Sequence, residues 1–183
     1  LNSCHPPPSQ HQDRWRFGER ISDQDYNSGS AGDPGANQLF DRTMEEAVIG
    51  AVLVTPIKYL DVSSILQTDD FYYRSHQWIW QAFQRLYSSD PNFDLLTVKQ
   101  ELEAQGHLEE VGGVEYLASL TNQVPSSLHA EAYARNISAL AARRRLLTAA
   151  NEVAKLAYRK DINVDTVIDQ AEQSIFGVSQ ERY

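Results

Sequence analysis

The chain has 183 residues, 42% of them apolar, and a formal net charge of −9, which suits one domain, or one domain with an appendage, built around a sizeable core. That charge argues against tight binding to bulk DNA, which depends on clustered lysines and arginines displacing counterions, although it leaves room for a local basic patch. The longest apolar run, residues 47–54, is far too short to span a bilayer, and the lone cysteine, Cys4, leaves no partner for an internal disulfide and favours an intracellular setting.

The chain starts at Leu1 rather than Met and is expected to be a piece of something longer. Residues 1–42 are expected to form a disordered tail: Pro6-Pro7-Pro8 and the glycine- and serine-rich stretch 27–35 carry turn formers and no apolar period. Cys4, His5 and His11 fit the spacing of no closed zinc site. Order is expected from Thr43, where Thr43-Met44-Glu45-Glu46 has the form of a capping box ahead of Val48, Ile49, Val52 and Leu53. Pro56 opens a short second helix.

Thr68-Asp69-Asp70 caps the next element, and Trp78, Ile79, Phe83, Leu86 and Tyr87 follow a 3.6-residue period, the pattern of a central helix. His76 at its start reads as a hydrogen-bonded structural histidine, and Trp78 and Trp80 as core residues more than as base-stacking platforms. Asp94 caps a helix through Leu95, Leu96, Val98 and Leu102, which Gly106 ends. Gly112-Gly113 marks a tight turn into a helix with Val114, Leu117 and Leu120. Glu101, Glu103, Glu109 and Glu110 read as a solvated acidic face. None of Lys58, Lys99, Lys155 and Lys160 follows a glycine, so the sequence contains no Walker A phosphate loop.

From 127 to 159 a long helix is expected, with Tyr133, Ile137, Leu140, Arg144, Leu147, Asn151, Ala154 and Tyr158 along one stripe. Asn163 caps a second helix over 164–182 in which Val164, Val167, Ala171, Ile175 and Val178 keep the same spacing. Joined by a short turn, the two predict an antiparallel hairpin whose apolar stripe, notably Leu140, Leu147, Val167 and Ile175, is a self-association surface. Arg143-Arg144-Arg145 reads as a helix-surface or interface salt-bridge set, with nucleic-acid contact as the alternative. The fold class is all-α: a compact helical bundle over 43–125, then the hairpin over 126–183. No catalytic, cofactor-binding or metal-ligating constellation stands out.

Several motifs together carry a resemblance: Glu46-Ala47-Val48-Ile49-Gly50; Asp70-Phe71-Tyr72 with His76 and Ile79; Asp94-Leu95-Leu96-Thr97-Val98; Gly106-His107-Leu108 running to Val111-Gly112-Gly113 with Tyr116-Leu117. Pro125, Tyr133-Ala134, Arg144, Asn151-Glu152 and Ala171-Glu172-Gln173-Ser174-Ile175-Phe176 continue the same order. In these features residues 43–182 resemble the N-terminal domain of DnaB-type replicative DNA helicases. Asn37-Gln38-Leu39-Phe40 stands where that family usually has a proline pair and then an apolar-acidic pair.

The resemblance implies a non-catalytic collar domain in a cytoplasmic helicase of the bacterial nucleoid or plastid stroma. Its hairpins would pair between subunits into a trimer of dimers, and the collar would dock the C-terminal domain of primase. Tyr116, Leu146, Leu147 and Val153 are the candidate primase contacts. ATP, magnesium and contact with DNA would belong to the full-length protein, in a motor domain downstream.

Overall fold

The structure, a computed structural model, describes residues 39–122 and 129–180. Cys4, His5, His11, the expected tail up to residue 38, Pro125, and the expected helix ends at 127–128 and 181–182 lie outside the described residues. Within them the chain is helical and contains no strand. In order come α1 (Arg42–Val54), α2 (Lys58–Ser63), a 3-10 turn (Thr68–Asp70), α3 (Arg74–Ser89), α4 (Leu95–Ala104), α5 (Leu108–Val111), α6 (Gly113–Asn122), α7 (Ala130–Ala157) and α8 (Val164–Gln180).

The first helix starts earlier than the capping-box reading placed it. Asp41 accepts a hydrogen bond from the Met44 amide at 3.0 Å, so Thr43 lies inside the helix. Aspartate is a better N-cap than threonine, and here it stands two residues upstream. Leu39 and Phe40, assigned to the tail by sequence, are also tied down: Phe40 stacks on Tyr72 with ring centroids 4.2 Å apart.

The sequence pattern put α3 at the centre, but α1 takes that place. Ala47, Val48, Ile49, Gly50, Ala51, Val52 and Leu53 are all buried, because a helix that is apolar on every side must be covered on every side. It packs against α3, α6 and α7. The amphipathic α3 contributes one face, with His76, Ile79, Trp80, Ala82 and Phe83 buried. Around Trp80 gather the rings of Tyr59, Phe71 and Phe83, at centroid distances of 5.2, 5.1 and 5.9 Å. Trp80 is therefore core, whereas Trp78 is half-buried and stacks on His107 at 4.4 Å.

Asp94 caps α4 as expected, accepting from the Thr97 amide at 2.8 Å while the Thr97 hydroxyl accepts from the Asp94 amide. Gly112, between α5 and α6, has φ +108°, and a Cβ there would sit 3.0 Å from Cβ of Tyr116. Left-handed backbone costs a side chain about 1–2 kcal/mol. Gly112→Ala is expected to lower stability by at least ~1 kcal/mol, read as a melting temperature several degrees below wild type.

The long helix α7 does two jobs. Over its first half Ala130, Ala134, Ile137 and Ala141 are buried and pack into the core formed with α1. Over its second half it pairs with α8. The buried stripe is rotated from the expected one. Leu147 is 44% exposed and Tyr158 84% exposed, and Asn151 and Ala154 are exposed too. Alanines face α1 because their small side chains let two helices approach closely, which the larger leucines on the neighbouring stripe would prevent. In the turn before α8, Asn163 accepts from the Asp165 amide at 3.2 Å.

Candidate functional site

Three polar or apolar features stand out from the packed core, and all three lie on α1, α7 or α8. The first is a buried relay. Glu45 is 1% exposed and His76 fully buried, a costly placement unless each is hydrogen-bonded. Both are. Glu45 accepts from the Tyr72 amide at 2.7 Å and lies 2.6 Å from Nδ1 of His76. On the other side of the imidazole, Nε2 is 2.8 Å from the hydroxyl of Tyr116 in α6, which in turn lies 3.0 Å from Glu46. Arg42 donates to the same Glu46 oxygen at 2.8 Å. Burial, with Glu46 beside it, pushes the Tyr116 phenol up to about 12. The structural reading of His76 thus acquires its partners from 31 and 40 residues away, a distance over which periodicity gives no signal.

The second is a latch where α7 passes the 3-10 turn. Arg144 donates to the carbonyls of Leu39, at 2.7 Å, and of Asp70, and its guanidinium lies over the Tyr72 ring at 5.6 Å. Arg145 donates to the Asp70 carboxylate at 2.7 Å, while the other oxygen of that carboxylate accepts from the Gln67 amide at 2.8 Å. Burial lowers the Arg144 guanidinium from its ordinary value and the nearby Glu45 and Asp70 oppose that. Two of the three consecutive arginines are therefore engaged inside the protein, and Arg143 is the exposed one. Between α7, α8 and this turn runs an open groove of about 370 Å³, lined by Asp69, Arg145, Glu152 and Ser174 among others.

The third is the outer face of α8. Val167, Ala171, Ser174 and Val178 are half-buried, as expected for the side of α8 that packs on α7. Val164, Ile168, Ile175 and Phe176 are 68, 50, 49 and 61% exposed. At about 100° per residue the first three form the stripe next to the half-buried one. The apolar arc of α8 is thus wider than the surface α7 covers. Of the sequence-derived association residues, Leu140 and Val167 are half-buried while Leu147 and Ile175 are exposed. Of the primase candidates, Leu146 is 52% exposed and Val153 half-buried, both on α7. Tyr116 is half-buried, and its hydroxyl points inward to His76 and Glu46, with Arg42 bonded to it as well.

Among the described residues no group of three or more His, Cys, Asp and Glu side chains is placed to hold a metal ion, and no helix is long and apolar enough to cross a membrane.

The model of the DnaB-like helicase N terminal domain matches residues 37–139. The chain is 38% identical over 139 residues to the replicative DNA helicase DnaB of Geobacillus stearothermophilus, covering 76% of this chain but 31% of that protein. It therefore spans about a third of the length of the curated relative. Among solved structures it is similar to the N-terminal domain of DnaB helicase from Mycobacterium tuberculosis, with a TM-score of 0.70 and 32% identity over 75% of this chain and 97% of that one. The N-terminal domain of DnaB helicase from Helicobacter pylori, described together with its interactions with primase, has the same fold, with a TM-score of 0.56 and 23% identity over 64% of this chain and 91% of that one.

Proposed function

The chain belongs to the DnaB-like helicase N-terminal domain family, and from that premise we propose that it is the non-catalytic collar of a replicative DNA helicase, holding subunits together and docking primase. The observation that carries the assembly role is the uncovered apolar stripe Val164, Ile168 and Ile175 with Phe176 beside it on α8. Contiguous exposed apolar side chains on a globular protein mark an interaction surface. In this reading a second copy of the hairpin covers the stripe, and such pairs repeat around a ring as a trimer of dimers. ATP binding, magnesium and DNA unwinding belong to a motor domain of the whole cytoplasmic protein.

Primase docking rests on the helicase relatives and on the exposure of Leu146 and Leu147 where α7 leaves the body. The two are adjacent and point about 100° apart, so one serves a hairpin seam while the other faces a partner. Tyr116 is a poor probe of docking, because removing its ring also disturbs the buried relay. Leu146→Ala is the cleaner variant. Calorimetry with the C-terminal domain of the primase from the same organism is expected to give wild-type binding that Leu146→Ala weakens by roughly 1 kcal/mol or more, at an unchanged melting temperature. No binding by wild type would contradict the docking role.

A further inference from the structure

Among the described residues outside α7 and α8, the large apolar side chains at the surface mostly stand one to an element. Tyr72 lies before α3, Leu96 on α4 and Val114 on α6. The exception is the corner between α1 and α2, where Val54, Ile57 and Leu60 are 54, 57 and 56% exposed. Tyr59 and Val62 turn the inner side of α2 into the core. At about 100° per residue, Ile57, Leu60 and Asp61 then share its outer side. Lys58 reaches round to Asp61, with Nζ 2.9 Å from the carboxylate, and both side chains remain partly in water. The corner is therefore a small apolar patch edged by one cation and one anion. Its place in the fold follows from two contacts. Lys58, just past the end of α1, interacts electrostatically with Glu131 near the start of α7, whereas Arg144, further along α7, donates to the Leu39 carbonyl just before α1. The two helices run antiparallel, so the corner sits at the end of the body away from the hairpin, about 20 Å from the latch at 1.5 Å per residue.

We propose that the α1–α2 corner is a second self-contact, a two-fold pairing of this corner with the same corner of another copy, which links hairpin-paired copies to one another. It rests on the hairpin pairing of the collar reading and adds the contact that reading lacks. A two-fold hairpin interface by itself stops at two copies, whereas two different self-contacts at opposite ends of each copy continue into a ring or an open chain. The corner has the self-complementary charge that a two-fold contact requires: Ile57 and Leu60 meet their counterparts, while Lys58 of each copy meets Asp61 of the other. Within one copy that exposed ion pair contributes little, so it is free to exchange partners. Three side chains cover far less than the roughly 1,200–2,000 Å² of a stable protein interface. The corner therefore does not hold two free copies together, and it closes only among copies that the hairpins have already gathered, where the effective concentration is high.

The test is analytical ultracentrifugation of the whole chain over a wide concentration range. Wild type is expected to rise beyond the mass of two chains. Ile57→Glu with Leu60→Glu is expected to stop at two chains with the same helical circular dichroism, since both positions face water in the single chain. Lys58→Glu, which sets like charges against each other across the contact, is expected to move the onset of the higher mass to about tenfold higher concentration or more, and adding Asp61→Lys is expected to restore it. Wild type that pairs but never exceeds two chains, a corner variant that matches wild type, or a charge swap that restores nothing would each overturn the proposal and leave hairpin pairing standing. Ile168→Glu with Ile175→Glu separates the two: at wild-type mass it would overturn the hairpin pairing on which the proposal rests, and at the mass of one chain it supports the order in which the contacts form.

Discussion

Glu45→Ala is expected to be among the most destabilising single changes in this protein, at about 3–5 kcal/mol. The carboxylate is 1% exposed and holds the start of α3 to α1 through the Tyr72 amide and His76. Alanine would leave that amide and the imidazole Nδ1 buried without an acceptor, and each orphaned donor costs about 1–3 kcal/mol. Urea unfolding followed by circular dichroism measures the loss. Glu45→Gln is expected to cost less, because its amide oxygen still accepts one bond while its NH2 meets the remaining donors. Equal stability of wild type and Glu45→Ala would mean that the relay contributes nothing to the fold.

The other large effect concerns α8. Ile168 and Ile175 are half-exposed in the single chain, so a charge at either position finds water and leaves the monomer intact. Between two copies the same charge would be desolvated without a partner, at a cost of several kcal/mol. In a two-fold interface each substitution occurs twice. Fully burying a large apolar side chain contributes roughly 1.5–3 kcal/mol, and that contribution is lost as well. Each ~1.4 kcal/mol is tenfold in a dissociation constant, so Ile168→Glu with Ile175→Glu is expected to weaken association by about two orders of magnitude or more.

Much of the architecture was legible in the sequence because it follows from local rules. The hairpin rests on apolar spacing plus a short turn capped by Asn163, and α4 rests on Asp94 at its start and Gly106, at φ +77°, after its end. The central place of α1 could have been read from the unbroken run 47–54, since a helix without a polar face has no side to turn to solvent. The phase of α7 was harder. Its leucines advertise a stripe, yet Ala130, Ala134 and Ala141 occupy the core face, because close approach to α1 selects small side chains over apolar ones. The relay was out of reach. Periodicity says which residues face inward, not that Glu45 on α1, His76 on α3 and Tyr116 on α6 meet, and adjacent Glu45 and Glu46 look alike in sequence while one is fully buried and the other partly so. The latch was half-visible. A salt-bridge role for Arg144 and Arg145 was the favoured reading, but its partners at Leu39 and Asp70 lie 105, 74 and 75 residues away.

The collar role stands or falls on whether the open stripe of α8 is covered by a second copy of the chain. Multi-angle light scattering on wild type and on Ile168→Glu with Ile175→Glu, at matched concentrations, measures this directly. Wild type is expected to run at a multiple of 20.7 kDa and to fall toward that mass on dilution. The double variant is expected to stay at the mass of one chain with the same helical circular dichroism. Wild type at the mass of one chain throughout, or the variant at the same higher mass as wild type, would contradict an assembly surface on α8.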